Sequence, residues 1–99
     1  MLFLLNKPIY DMSRSELETA TSSKELPEKK KVLEYLKSFE KCAYTTQPVI
    51  DGFTGEKLDC IDDARSDGVY RWYESEIYHF EKYNLKLNDD FIQHVLNRP

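Results

Sequence analysis

Apolar residues recur with a helical period in four stretches of this chain, and between the second and third that period is lost. In the first stretch, Ser13-Arg14-Ser15-Glu16 reads as a capping box, with the Ser13 hydroxyl accepting the Glu16 amide and the Glu16 carboxylate reaching back. Leu17, Ala20 and Thr21 then share a face, and Thr21-Ser22-Ser23 closes a short helix. Val32, Leu33, Leu36 and Phe39 form a longer stripe that predicts a helix over residues 27–40. Pro27 suits its first turn, where a missing N–H costs nothing, and Glu28 lies near the positive end of the dipole.

From Lys41 to Trp72 the pattern turns extended and irregular. Cys42-Ala43-Tyr44-Thr45 has strand-like composition that Pro48 limits, and Asp51-Gly52, Gly55 and Asp67-Gly68 mark turns. Val69-Tyr70-Arg71-Trp72 alternates as a short strand does. Helix resumes near residue 74, where Tyr73, Ile77, Phe80 and Asn84 share a face and Asn84 suits a left-handed cap. Asn88 then caps a final helix with Phe91, Ile92, Val95 and Leu96 on its buried side. The expected fold is therefore α+β and mainly helical: about four short helices around a small two- or three-stranded antiparallel sheet. A chain of 99 residues has room for one core, so residues 1–99 are read as a single domain.

Composition, 40% apolar and 13% aromatic, supplies enough material for that core. The longest apolar run, Leu2-Phe3-Leu4-Leu5 after Met1, ends at Asn6-Lys7-Pro8 and falls far short of the ~20 residues that cross a bilayer. No secretory leader pattern precedes it, so a cytoplasmic location is expected. Cys42 and Cys60 lack metal or redox spacing and are read as small buried hydrophobes. The basic run Lys29-Lys30-Lys31 is expected on an exposed helix face, offset by Glu25, Glu28 and Glu34.

The formal charge of −4 is unevenly spread. Residues 1–50 hold eight basic and seven acidic side chains, whereas residues 51–99 hold six basic and eleven acidic. The acidic weight gathers at Asp59, Asp62, Asp63 and Asp67, followed by Glu74 and Glu76. Such a patch repels phosphate backbones and steers a basic protein toward it, so direct nucleic-acid binding is not expected. The alternative is a solvated loop whose charge serves only solubility.

Catalytic chemistry finds little foothold in the pattern. His79 and His94 fall on predicted helices without local ligand partners, and Ser13, Ser15 and Ser75 read as helix-start residues. Gly52 and Gly55 lack the spacing of a phosphate loop, and Asp51, Asp59, Asp62 and Asp63 do not match a calcium loop. No enzyme activity, cofactor or metal is expected.

Four motifs stand in order through the second half. They are Asp51-Gly52-Phe53-Thr54-Gly55-Glu56, Asp67-Gly68-Val69-Tyr70-Arg71-Trp72, Tyr78 with Glu81-Lys82-Tyr83, and Phe91-Ile92. Together they resemble small bacterial immunity proteins that accompany polymorphic toxins, including those of contact-dependent growth inhibition systems. The resemblance spans roughly residues 32–97, beginning at Val32-Leu33-Glu34-Tyr35-Leu36, though no proline precedes the final helix as such proteins would have it. It implies a non-catalytic partner of a cognate toxin C-terminal domain. Such domains are often nucleases, including RNases or tRNases, with basic clefts. No membrane partner is implied.

The toxin-binding surface read from these residues is Asp59, Asp62, Asp63, Asp67, Glu74 and Glu76, with Tyr70 and Trp72 as aromatic anchors. For Trp72 and Tyr70, core packing is the competing reading. Thr54, Gly55 and Glu56 read as a structural turn. Charge reversal at Asp62 and Asp63 is expected to weaken toxin binding and leave thermal stability nearly unchanged. Two other classes remain open: an adaptor binding another basic protein through the same surface, and a small hydrolase using His79 or His94.

Overall fold

A computed structural model describes residues 3–5 and 9–97. Met1, Leu2, the Asn6-Lys7-Pro8 break and the terminal Pro99 lie outside the described residues. The helices are α1 (Arg14–Ala20), α2 (Lys29–Ser38), α3 (Glu74–Tyr83) and α4 (Asp89–Leu96). The strands are β1 (Phe3–Leu4), β2 (Lys41–Ala43), β3 (Pro48–Ile50), β4 (Lys57–Ile61), β5 (Ala64–Ser66) and β6 (Tyr70–Tyr73). The fold is α+β, with the two pairs of helices flanking the strand region.

The sheet is more elaborate than the alternation implied. Strands β6, β5 and β2 pair antiparallel, and β1 adds to the free side of β6 in parallel, giving the order β1-β6-β5-β2. A separate two-stranded ribbon joins β3 to β4. The β5–β6 turn is Asp67-Gly68, where Gly68 takes φ 94°, a left-handed conformation that favours glycine. Asp67 Oδ1 accepts the Val69 and Tyr70 amides at 2.8 and 2.7 Å, closing that turn.

Local signals govern the helix ends. The capping box at α1 is complete: the Glu16 amide donates to Ser13 Oγ at 3.1 Å and the Ser13 amide to Glu16 Oε1 at 3.2 Å. Asn84 takes φ 56° after α3, and Asn88 accepts the Asp90 and Phe91 amides at the start of α4. α2 starts two residues later than its periodicity suggests, because Leu26 to Lys29 forms a turn ahead of it, closed by the Lys29 amide on the Leu26 carbonyl. Lys29 is not on the exposed face. Its Nζ reaches the Glu81 carbonyl at 2.8 Å and Asn84 Oδ1 at 2.7 Å, tying α2 to the end of α3.

One core unites these elements: Leu17 from α1, Val32 and Leu36 from α2, Ile77 and Phe80 from α3, Phe91 and Val95 from α4, all around Trp72. Trp72 is 0% exposed, its indole N–H donates to the Leu36 carbonyl at 3.1 Å, and its ring meets Phe39 and Phe91 at 5.9 and 5.7 Å. Truncating such a side chain costs about 3–5 kcal/mol. The anchor reading of Trp72 is therefore corrected: it holds the core. Tyr70 is half-buried, its ring 5.1 Å from Phe91 and 5.4 Å from His94.

Cys42 and Cys60 also depart from expectation. Both are exposed free thiols, Cys42 at the outward position of β2 and Cys60 on β4, whose residues are nearly all exposed. Among the described residues no helix is long and apolar enough to cross a membrane.

Candidate partner-binding face

The carboxylates expected to form an outward display are mostly turned inward. Asp67 has a fully buried side chain that accepts the Tyr35 hydroxyl at 2.6 Å and contacts His94 Nε2 at 3.1 Å. Burial pushes its pKa up, but the Tyr35 hydroxyl, the Tyr70 and Val69 amides and His94 outweigh it and hold the carboxyl below its ordinary value. Asp67 thus fastens the β5–β6 turn to α2 and α4. Asp63 is 5% exposed, accepting the Thr45 amide at 2.9 Å and pairing with Lys41 at 3.1 Å. That amide, against a smaller effect of burial and with Lys41 assisting, lowers its pKa.

Glu74 receives Arg65 Nε at 2.5 Å, and the same guanidinium donates to the Phe39 carbonyl, joining β5, the start of α3 and the end of α2. Glu76 is 1% exposed. Its Oε1 accepts the Tyr73 amide at 3.3 Å and its Oε2 has no partner among the described residues, so burial pushes its pKa up to about 8 and keeps it neutral at pH 7. The acidic surface drawn from sequence is corrected accordingly. Asp63, Asp67, Glu74 and Glu76 hold backbone and cations of the fold, Trp72 packs inside it and Tyr70 lies half-buried against the core. Asp59 alone is fully displayed, with Asp62 half-buried beside it.

The first and third motifs meet around another buried carboxylate. Asp51, 0% exposed, accepts the Tyr78 and Tyr83 hydroxyls at 2.6 Å each, and its other oxygen accepts the Phe53 and Thr54 amides at 2.8 and 3.0 Å. Burial opposes ionisation there, but these four donors hold the carboxyl well below the usual carboxylate range. The Gly52 amide donates to His79 Nε2 at 3.0 Å, so the proton sits on Nδ1, which donates to the Ser75 carbonyl at 2.7 Å. Burial lowers the His79 pKa, keeping the ring neutral. A Cβ at Gly52 would collide with Leu17, so close packing explains that glycine. These residues pin the Asp51–Glu56 turn to α3, and Thr54 to Glu56 form a structural turn as expected.

Besides Phe3, Leu26 and Val69, the large apolar side chains turned outward among the described residues belong to the β3–β4 ribbon and the loop before it. Val49 is buried, so its neighbours Pro48 and Ile50 project to the other side, opposite Ile61 and Lys57. Ile50 and Ile61 are 43% and 40% exposed, and Tyr44, on the loop leading into β3, is 76% exposed. Asp59 and Asp62 bracket Ile61 in sequence. Beside Ile50 opens a groove of about 490 Å³ walled by Ile9, Pro48 and Gly52, with Gln47, Asp62 and Ser75 as its polar residues. Asp62 accepts the Ser75 amide at 2.9 Å and its hydroxyl at 3.1 Å, capping the start of α3, while burial holds its pKa above the ordinary value.

Sequence reading did not single out Tyr44, Ile50 or Ile61. The usable signal was the Pro48-Val49-Ile50 alternation in a ribbon too narrow to bury both faces. Comparison with known protein families, with characterised proteins and with solved structures finds no match to this chain.

Proposed function

We propose that this chain is an immunity protein: it binds a cognate bacterial toxin domain in the cytoplasm and neutralises it without chemistry of its own. The observation that carries this reading is the β3–β4 ribbon, whose pairing leaves Ile50 and Ile61 exposed near Asp59 and Asp62, with Tyr44 exposed on the loop that leads into it. Exposed aromatic and aliphatic side chains flanked by carboxylates suit a protein partner with a basic surface, such as a nuclease domain. The motif order from Asp51 to Phe91 supports the same reading. The commitment of His79 to structural hydrogen bonds, and of His94 to Asp67, weighs against the hydrolase alternative.

The test is co-expression with the toxin domain encoded beside this chain's gene, scored by growth rescue and co-purification. Rescue by wild type, and its loss in an Ile61→Glu variant with an unchanged circular dichroism spectrum, is the expected result. Absence of both rescue and co-purification would overturn the reading. Capture of a different basic protein through the same face would point to an adaptor instead.

A further inference from the structure

The groove beside Ile50 combines features that together specify an occupant. Its walls are apolar at Ile9, Pro48 and Ile50, and its polar lining residues are Gln47, Asp62 and Ser75, of which Asp62 alone carries a charge. A carboxylate offers about four acceptor positions, and Ser75 uses one on each Asp62 oxygen. Among the described residues no basic side chain pairs with Asp62, since the neighbouring Lys41 is committed to Asp63 at 3.1 Å. An apolar ligand filling the groove would strip water from that carboxylate without replacing it, and an anion would be repelled. A side chain with a methylene stem and a cationic head satisfies both parts at once.

Resting on the immunity reading, we infer that this groove receives a single lysine or arginine side chain of the toxin, its stem against Ile9, Pro48 and Ile50 and its head at Asp62. The volume of about 490 Å³ accommodates either side chain, and the overall charge of −4 favours approach of a basic partner. Asp62 then has two roles in one position: one set of lone pairs caps α3 and the other meets the partner.

The experiment titrates the full ¹⁵N-labelled chain with the N-acetyl methylamides of lysine, arginine and norleucine, the last an uncharged stem of the same length. Lysine or arginine amide is expected to shift Gln47, Ile50, Gly52, Asp62 and Ser75, with affinity at least ten-fold above that of the norleucine amide. Asp62→Asn keeps an oxygen for the Ser75 amide, so the cap survives, and is expected to weaken binding ten-fold or more. Ile50→Ser, at an exposed position, is expected to weaken it several-fold. No binding, equal binding of norleucine amide, or unchanged affinity in Asp62→Asn would overturn the inference. A parallel measurement with the toxin separates the two claims. Equal toxin affinity in wild type and Asp62→Asn sinks the groove assignment while immunity stands. Groove binding of the lysine amide without toxin capture sinks immunity.

Discussion

Replacing Asp51 by asparagine tests whether the buried motif residues hold the fold together. Asparagine keeps one oxygen for the Phe53 and Thr54 amides but replaces the charged acceptor of the two tyrosine hydroxyls with a donor. Hydrogen bonds to a charged partner contribute about 1.5–3 kcal/mol each. Some of that returns if the hydroxyls reorient, so the expected loss at pH 7 is roughly 2–4 kcal/mol. Against a total of about 5–15 kcal/mol for a domain, the variant still folds but unfolds at markedly lower urea. Trp72 is the sole tryptophan and fully buried, so its fluorescence reports the transition directly.

The pH dependence identifies the source of that loss. The folded-state pKa of Asp51 is depressed, so its contribution is fully present above the unfolded value of about 3.9 and declines as pH falls below it. The gap between wild type and Asp51→Asn is expected to be constant from pH 7 to pH 5 and to shrink by roughly 1–2 kcal/mol at pH 2.5. On the alkaline side, Tyr83 is raised by its bond to Asp51 and Tyr78 by burial and that carboxylate. The neutral phenols therefore favour the fold below about pH 10 and lose that effect as pH rises further. A deficit under about 0.5 kcal/mol at pH 7, or one of the same size at pH 7 and pH 2.5, would refute the reasoning.

Glu76→Gln is expected to stabilise the protein by roughly 2–4 kcal/mol at pH 8 and by little at pH 5 in urea titrations. With its folded pKa raised to about 8, the wild-type carboxyl weakens the fold as pH climbs from the unfolded value through that point, whereas glutamine does not titrate. Asp63→Lys is expected to lower the thermal midpoint clearly, by placing a cation against Lys41 and abandoning the Thr45 amide, whereas Asp59→Lys at an exposed position changes stability by under about 0.5 kcal/mol. Equal midpoints for those two reversals, measured by calorimetry, would contradict the burial assignment.

Helix positions were legible because their signals are local. Ser13 with Glu16, Asn84 and Asn88 act within one turn of their own backbone, and Val32 with Leu36 or Phe91 with Val95 need only one neighbouring surface. The strands were harder. β1 joins the sheet through a parallel pairing with β6 about two thirds of the chain away, and β4 carries almost no inward-facing apolar residue to mark it. The acidic segment misled for a related reason. Charge composition counts carboxylates but does not say what each one accepts, and Asp63 and Asp67 are consumed by partners 18 to 32 residues distant.

That consumption follows from how little regular structure lies between α2 and α3. Strands of three to five residues leave many backbone amides outside ladders. Buried amides must find acceptors, and short aspartate side chains supply them, within their own turn at Asp51 and Asp67 and from across the fold at Asp62 and Asp63. Asp51, Asp62, Asp63 and Asp67 each accept at least one such amide, at Phe53, Ser75, Thr45 and Tyr70 respectively. Three of them then carry a second link to a side chain on another element: Asp51 to Tyr78, Asp63 to Lys41 and Asp67 to Tyr35. Asp62 differs. Its side-chain partner is Ser75, the residue whose amide it already caps, no basic side chain among the described residues pairs with it, and it lines the groove. Among these aspartates it is the one left able to take a charge from outside.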